Sequence, residues 1–469
     1  MSAADIQSGE PVYDLLGIGV GPFNLGLAAL ADPLPELRTL FLDGRSGFDW
    51  HPGMMLESAH LQVPFMADLV TLADPCSRYS FLNFLKQTNR LYRFYIRENF
   101  YPLRAEFNAY CRWVADQLPA VRFGEHVTAI RHVAGNTPCS RETGGLDSTA
   151  GIYEVTADTA AGPRTYRTRR LVLGTGTQPH VPASAAALQD TGAPVLHNSE
   201  YLARKPDLQE RRSITIVGSG QSAAEIYLDL LEGMDSHGYE LNWITRSGRF
   251  FPLEYTKLTL EMTSPEYVDY FHALPHGTRD RLVAEQKNLY KGIDAELINA
   301  IYDTLYARSL TGDPRTRLLT HTELRGASFD PGTGATTLRL HHAEQQRDFA
   351  LDTEAVVLAT GYAYREPDFL AGITHRIRRD GAGRFDVGRW YGIGTQPGEI
   401  FVQNAELHTH GFVTPDLGMA AYRNSAILRE VLGREAYPVE TSIAFQEFGS
   451  PDHPGTGASA AGQSMEVSA

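Results

Sequence analysis

The chain has 469 residues, a formal net charge of −14, 42% hydrophobic and 21% charged residues; this is an ordinary globular composition with room for two or three domains. The acidic balance argues against a nucleic-acid partner, and without a signal-like h-region or a run of about 20 apolar residues, no membrane span is expected and the protein reads as cytoplasmic. Cys76, Cys111 and Cys139 are far apart with no Cys-x-x-Cys, so neither a disulfide framework nor a dithiol redox centre is indicated.

Residues 1–11 read as a loose tail. The apolar run over 12–18 then breaks at Gly17, Gly19 and Gly21, passes Pro22 and Asn24, and resumes at helical spacing from Leu25 to Leu30. A strand that enters a helix through glycines lets backbone approach a pyrophosphate, and the helix N-terminus supplies free N–H groups. Pro22 replaces the third glycine of the dinucleotide fingerprint, which a first helical turn tolerates. A second strand over 37–43 ends in Asp43, placed for ribose hydroxyls. The stretches around Trp50 and His51 and around Gln62 are irregular and aromatic, and with no ligand spacing around His51 or His60 no metal is expected. Residues 80–118 carry a helical pattern interrupted over 92–104, and 136–151 read as a surface loop between hairpin strands.

A strand over 170–173 ends in Gly174-Thr-Gly176, and Thr360-Gly361 repeats that shape, so the two bracket an insertion. The insertion opens with a strand over 213–217 and Gly218-Ser219-Gly220-Gln221-Ser222-Ala223, a stronger fingerprint because alanine is accepted at its third position. Its second strand ends in Arg246, with Arg249 behind it; a guanidinium there suits the 2′-phosphate of NADP. Residues 253–310 read as mostly helical, 318–351 as strands, 415–432 as an amphipathic helix, and the tail from 450 as disordered.

The expected fold is α/β, with two Rossmann-like dinucleotide-binding domains and a small, mainly helical substrate region. An FAD domain over 12–205 and 351–448, the second part holding the helical region, is interrupted by an NADPH domain over 206–350, and 449–469 form a disordered tail. Nested nucleotide folds imply a flavin facing NADPH as a hydride-transfer pair. Without a dithiol, the electrons pass to an organic acceptor, a quinone or O2.

Gly17-Ile-Gly-Val-Gly-Pro-Phe-Asn24, Phe48-Asp-Trp-His-Pro-Gly-Met54, Leu61-Gln-Val-Pro-Phe65, Asp68-Leu-Val-Thr-Leu-Ala-Asp-Pro75, Tyr79-Ser-Phe-Leu-Asn83, Gly218-Ser-Gly-Gln-Ser-Ala-Ala-Glu225, Ala359-Thr-Gly-Tyr362 and Thr409-His-Gly411 closely resemble the siderophore-biosynthetic flavin-dependent N-hydroxylating monooxygenases, the lysine/ornithine N-monooxygenase family. The resemblance runs in order over about residues 12–435. It implies that NADPH reduces FAD, that O2 adds to give a C4a-hydroperoxyflavin sheltered by NADP+, and that a neutral primary amine takes its distal oxygen. Carried over by position, Asp43, Trp50, His51, Gln62 and Val127 would contact FAD beside the glycine turn, with Pro415, Asp416 and Leu417 closing over it. Ser219, Gly220, Gln221, Ser222 and Arg246 would hold NADPH, and Asn288, Leu289 and Tyr290 would meet the nicotinamide end, Asn288 also touching substrate. Arg104 matches the family's arginine near the flavin.

Three departures bear on the substrate. Where the ornithine hydroxylases of this family carry a lysine for the substrate carboxylate this chain has Ala67, and an asparagine and a serine that grip the amino acid fall on Leu260 and Gly418. The groups that a carboxylate needs are therefore missing, and an unpaired buried carboxylate is costly. The implied substrate is a diamine, cadaverine or putrescine; 94–104 and 402–410 also resemble the diamine branch. Glu254, Glu261 and Glu406 are candidates for the distal ammonium. The alternative is an L-lysine N6-monooxygenase, against which Ala67 speaks. A non-catalytic flavoprotein is disfavoured by the retained Arg246 and Asn288, and a homo-oligomer, dimer or tetramer, is expected.

Overall fold

A computed structural model describes residues 11–134 and 151–450. Apart from residues 11, 151, 449 and 450, the expected tails and the expected 136–151 loop lie outside the described residues.

The first domain is built on a parallel five-stranded sheet in the order Ile400–Val402, Leu171–Leu173, Leu15–Ile18, Thr39–Asp43, Val121–Phe123. Leu15, Leu16, Ile18, Phe41, Leu42 and Val172 are all buried, as strands covered on both faces require. The helix Pro22–Ala31 leaves the central strand and packs against the helix Ala420–Leu432. A second sheet, Val12–Tyr13, Gly162–Thr168, Ile152–Thr159, His126–Val133, contains the expected hairpin, since His126–Val133 and Ile152–Thr159 pair antiparallel.

The second domain has its own parallel sheet, Val195–His197, Ala355–Leu358, Ser213–Val217, Glu240–Ile244, Thr316–Leu319, beside a three-stranded antiparallel sheet spanning 322–353. It reaches beyond the expected span of 206–350 at both ends. Ala355–Leu358 is wholly buried and pairs on both edges, with Ser213–Val217 and Val195–His197, so it belongs inside this sheet. The repeat at Thr360-Gly361 therefore closes the inserted domain. The chain crosses between domains on a short antiparallel ribbon, Gln178–Pro179 against Tyr362–Ala363.

The helical region also differs from its expected place in 351–448. Its apolar cluster joins Tyr267, Val268 and Phe271, from the helix Pro265–Ala273 of the insertion, to Phe412, Val413 and Met419 of the first domain.

Both nucleotide turns depend on glycine for steric reasons. Gly19 has φ +84° and a Cβ there would lie 2.5 Å from the Gly174 carbonyl oxygen; Gly218 has φ +140° and a Cβ would lie 2.0 Å from the Ala359 oxygen. Gly21 has nothing within 4 Å of a Cβ. Gly218→Ala should therefore lose about 2 kcal/mol or more of stability in thermal or denaturant unfolding, while Gly21→Ala stays within about 0.5 kcal/mol; equal losses would contradict this reading.

A candidate two-nucleotide active site

The helices that follow the two turns, Pro22–Ala31 and Gln221–His237, have Gly21 and Gly220 as N-caps and no side-chain cap. Their first N–H groups are therefore left for a ligand. Space exists for one: a Cβ at Gly21 or Gly176 would meet nothing within 4 Å, and one at Gly220 would meet only the Lys291 carbonyl oxygen at 3.8 Å. Uncapped amides beside open glycines fit the phosphates of two dinucleotides.

Asn24 fixes the first turn, its Nδ2 donating to the Gly19 oxygen at 2.7 Å while its Oδ1 accepts from Gln403 Nε2 at 2.7 Å. Asp43 lies at the strand end as expected, but protein donors already occupy its carboxylate: the Val20 N–H at 2.7 Å, the Arg45 N–H at 2.8 Å, and Arg45 Nε and Nη2 at 2.9 and 2.7 Å. Burial opposes ionisation of this carboxyl, yet Arg45 and the Val20 amide outweigh it and hold Asp43 below the usual carboxylate range. Its first visible task is to brace the turn, so a ribose hydroxyl would have to share these lone pairs. Val127, on the strand His126–Val133 of the second sheet, is buried with Ile18 and Leu42 of the parallel sheet.

At the junction of the domains, the Trp50 N–H donates to Asn108 Oδ1 at 3.0 Å and its ring meets the Phe107 edge. His51, at φ 51°, lies between the rings of Trp50 and Tyr362 at 5.0 and 5.7 Å. Surrounding protein and the Arg104 and Arg45 charges lower its pKa to about 4. Arg104 donates to the Met54 oxygen at 2.7 Å and makes a two-pronged ion pair with Glu225 at 3.0 and 2.7 Å. Glu225 also accepts from Gln221 Nε2 at 2.9 Å, and Gln221 Oε1 accepts from Gln62 Nε2 at 3.1 Å and from the Asp294 N–H at 2.9 Å. The sequence-predicted Arg104, Gln62 and Gln221 thus meet in one network, with Arg104 engaged across the domain junction. Glu225 was missed as a functional candidate; its signal was an acid one helical turn after Gln221.

At the second nucleotide turn, Ser219 Oγ lies 3.3 Å from Ser247 Oγ, with Ser222 in the first turn of the helix. Arg246 is exposed, and burial together with the charges of Lys287 and Arg246 lowers the Lys291 pKa. This adds Lys287 and Lys291 to the arginines read from sequence; their signal was the pair of lysines bracketing Asn288-Leu289-Tyr290. Asn288 Nδ2 donates to Glu254 Oε2 at 2.7 Å, and Leu289 and Tyr290 pack with Phe412, Val413 and Met419.

The substrate candidates separate. Ala67 and Gly418 come together, a Cβ on Gly418 lying 3.9 Å from that of Ala67 and 3.1 Å from Asp416 Oδ1; Pro415 is exposed beside them and Leu417 is partly buried. Leu260 ends the short helix Lys257–Leu260, over which residues 443–446 are strapped. Two of the three acids proposed for the distal ammonium are otherwise committed. Glu406 is completely buried against Arg423 at 3.1 Å, and Glu261 accepts the Phe445 and Gln446 N–H groups at 3.1 Å each. Among the described residues no group of side chains could hold a metal, and no helix is long and apolar enough to cross a membrane.

Residues 11–364 match the family model described as L-lysine 6-monooxygenase/L-ornithine 5-monooxygenase. The chain belongs to this family. It is 55% identical over 441 residues to the putrescine N-hydroxylase of Shewanella oneidensis, with 93% of this chain and 84% of that protein covered. The FAD-bound structure of the cadaverine monooxygenase DfoA from Erwinia amylovora is 54% identical, with TM-score 0.88 over 94% of this chain and 99% of that one. The Kutzneria sp. 744 ornithine N-hydroxylase, solved with reduced FAD, NADP+ and L-ornithine, is 29% identical with TM-score 0.80, covering 90% and 99%. These flavin monooxygenases bear out the expected pair of Rossmann-like domains.

Within this family fold, the Arg104–Glu225 pair is only 13% and 6% exposed. Removing one partner of such a pair strands a buried charge, at a cost of about 3 kcal/mol. Glu225→Gln should lower the unfolding midpoint and slow flavin reduction by NADPH; a variant with unaltered midpoint and reduction rate would deny the pair its role.

Proposed function

We propose that this protein is an FAD- and NADPH-dependent monooxygenase that N-hydroxylates one primary amine of an aliphatic diamine, putrescine or cadaverine, for hydroxamate siderophore biosynthesis. The amine, O2, NADPH and a proton give the hydroxylamine, NADP+ and water. Support for the chemistry comes from the two uncapped, glycine-lined helix ends and from likeness to a putrescine hydroxylase and an FAD-bound cadaverine monooxygenase. The observation that carries the diamine is Ala67 against Gly418: neither side chain can bind a substrate carboxylate. In the same reading the enzyme is a cytoplasmic homo-oligomer, and the exposed Tyr92, Tyr95 and Ile96 of one helix suit a contact between copies.

Bound flavin would supply the oxygen-activating chemistry; the chain's own residues position, shield and handle charge. Asn24 and Gln403 keep the first turn rigid, while Arg104, Glu225, Gln221 and Gln62 hold the second turn in register with it. Arg246, Lys287 and Lys291 gather positive charge where a 2′-phosphate would lie. In this reading the Asn288 amide, which donates to Glu254, meets the nicotinamide and the reacting amine.

The test is NADPH-dependent hydroxylamine formation with putrescine, cadaverine, L-lysine and L-ornithine in parallel. Product from the diamines in preference to the amino acids is expected; product from lysine or ornithine alone would overturn the substrate and leave the fold standing. Only the neutral amine is nucleophilic, and a free alkylammonium has a pKa near ~10.4. At subsaturating diamine, turnover should therefore rise with pH, roughly tenfold per unit between about pH 7 and 9. His51, lowered to about 4, stays neutral over that range and adds no step. A flat profile would contradict rate-limiting use of the free amine.

A further inference from the structure

The diamine reading, on which this inference rests, leaves one charge unaccounted for: while one nitrogen must be neutral to react, the other remains an ammonium and needs an anionic partner. Glu261 and Glu406 hold protein groups, as described. Glu254 is tied at both oxygens, accepting from Thr259 Oγ1 at 3.1 Å and from Asn288 Nδ2 at 2.7 Å. Glu225 is saturated by Arg104 and Gln221, and Asp43 by Arg45 and Val20. Asp416 differs from all of these: among the described residues the only hydrogen bond to its carboxylate is from the Gly418 N–H to Oδ1 at 2.7 Å.

We propose that Asp416 binds the distal ammonium of the diamine, in a subsite floored by Ala67 and Gly418 with Tyr255 nearby. Two small residues keep the space before the carboxylate clear, since a Cβ on Gly418 already comes within 3.1 Å of Asp416 Oδ1 and 3.9 Å of the Ala67 Cβ. A longer side chain at 67 or 418 would fill it. Tyr255 lies close enough to feel the Asp416 charge: burial, Tyr101 and Asp416 together push its phenol up to about 12. Its ring stays neutral and can add cation–π attraction to the ion pair. The neighbouring cation, Arg423, is engaged by Glu406 and by the Thr414 oxygen at 2.6 Å and lies over the Phe23 ring. Asp416 is thus a half-buried acid whose charge the protein compensates only in part, and burial raises its pKa; an incoming ammonium supplies the missing counter-charge.

The experiment compares kcat/KM of the FAD-loaded enzyme for putrescine and cadaverine with that for n-butylamine and n-pentylamine, which match them in length but lack the second charge. Asp416→Asn should lower the diamine-to-monoamine ratio roughly thirtyfold. Ala67→Lys, which leaves the Asp416–Gly418 turn intact and places a competing cation beside the carboxylate, should lower the same ratio and reports independently if the first variant fails to fold. Loss of diamine and monoamine turnover in parallel, with the ratio within about twofold of wild type, would overturn the assignment by showing that Asp416 serves only its turn. A wild-type enzyme that turns over no diamine would overturn the substrate reading and this assignment with it. A wild type that prefers diamines, with variants that keep the preference, would overturn the assignment alone.

Discussion

Everything the two nucleotide turns can do together depends on the ion pair between Arg104 and Glu225. The arginine begins a helix of the first domain, the glutamate lies in the second turn of the nucleotide helix of the other, and both are nearly buried. A buried pair gains little net stability over an apolar contact, because desolvation offsets the attraction. What it supplies is direction: bonded at two points, the planar guanidinium and the carboxylate fix each other's orientation. With Gln62 and Gln221 bonded alongside and the Met54 carbonyl on the same guanidinium, the second domain is held in a defined pose over the first. Hydride transfer needs that pose, since it falls off steeply with misplacement of the reacting atoms.

Around this constraint, binding and chemistry are divided between backbone and side chains. The helix amides at both turns have no side-chain cap, and the glycines at 19 and 218 are fixed by backbone crossing too closely for a Cβ. Side chains do the orienting: Asp43 braces its own turn through Arg45 and Val20, and Glu254 aims Asn288. At the proposed substrate end, the residues at 67 and 418 are small and adjacent.

The sequence made both nucleotide folds legible because their signals are local, a strand, a glycine turn and a helix within about 20 residues. Leu171–Leu173 and Ala355–Leu358 look alike in sequence, as apolar strands before Thr-Gly turns, and only their pairing partners assign them to different sheets. Ala67, Leu260 and Gly418 were readable as departures from a family pattern, but the closeness of Ala67 to Gly418 spans some 350 residues of chain and is a tertiary fact. The roles of Glu225, Lys287 and Lys291 were hidden for the same reason. Glu406 looked like any surface acid; nothing near it in sequence announces Arg423 across a buried interface.

The central claim is that two facing dinucleotide sites pass a hydride from NADPH to a flavin. Anaerobic rapid mixing of the FAD-loaded enzyme with NADPH, followed by flavin absorbance, tests it most directly. The account predicts bleaching of the flavin by NADPH, faster than by NADH because of the cations around Arg246, and slower reduction when Glu225 is replaced by Gln. A flavin that stays oxidised with NADPH would contradict the account at its foundation.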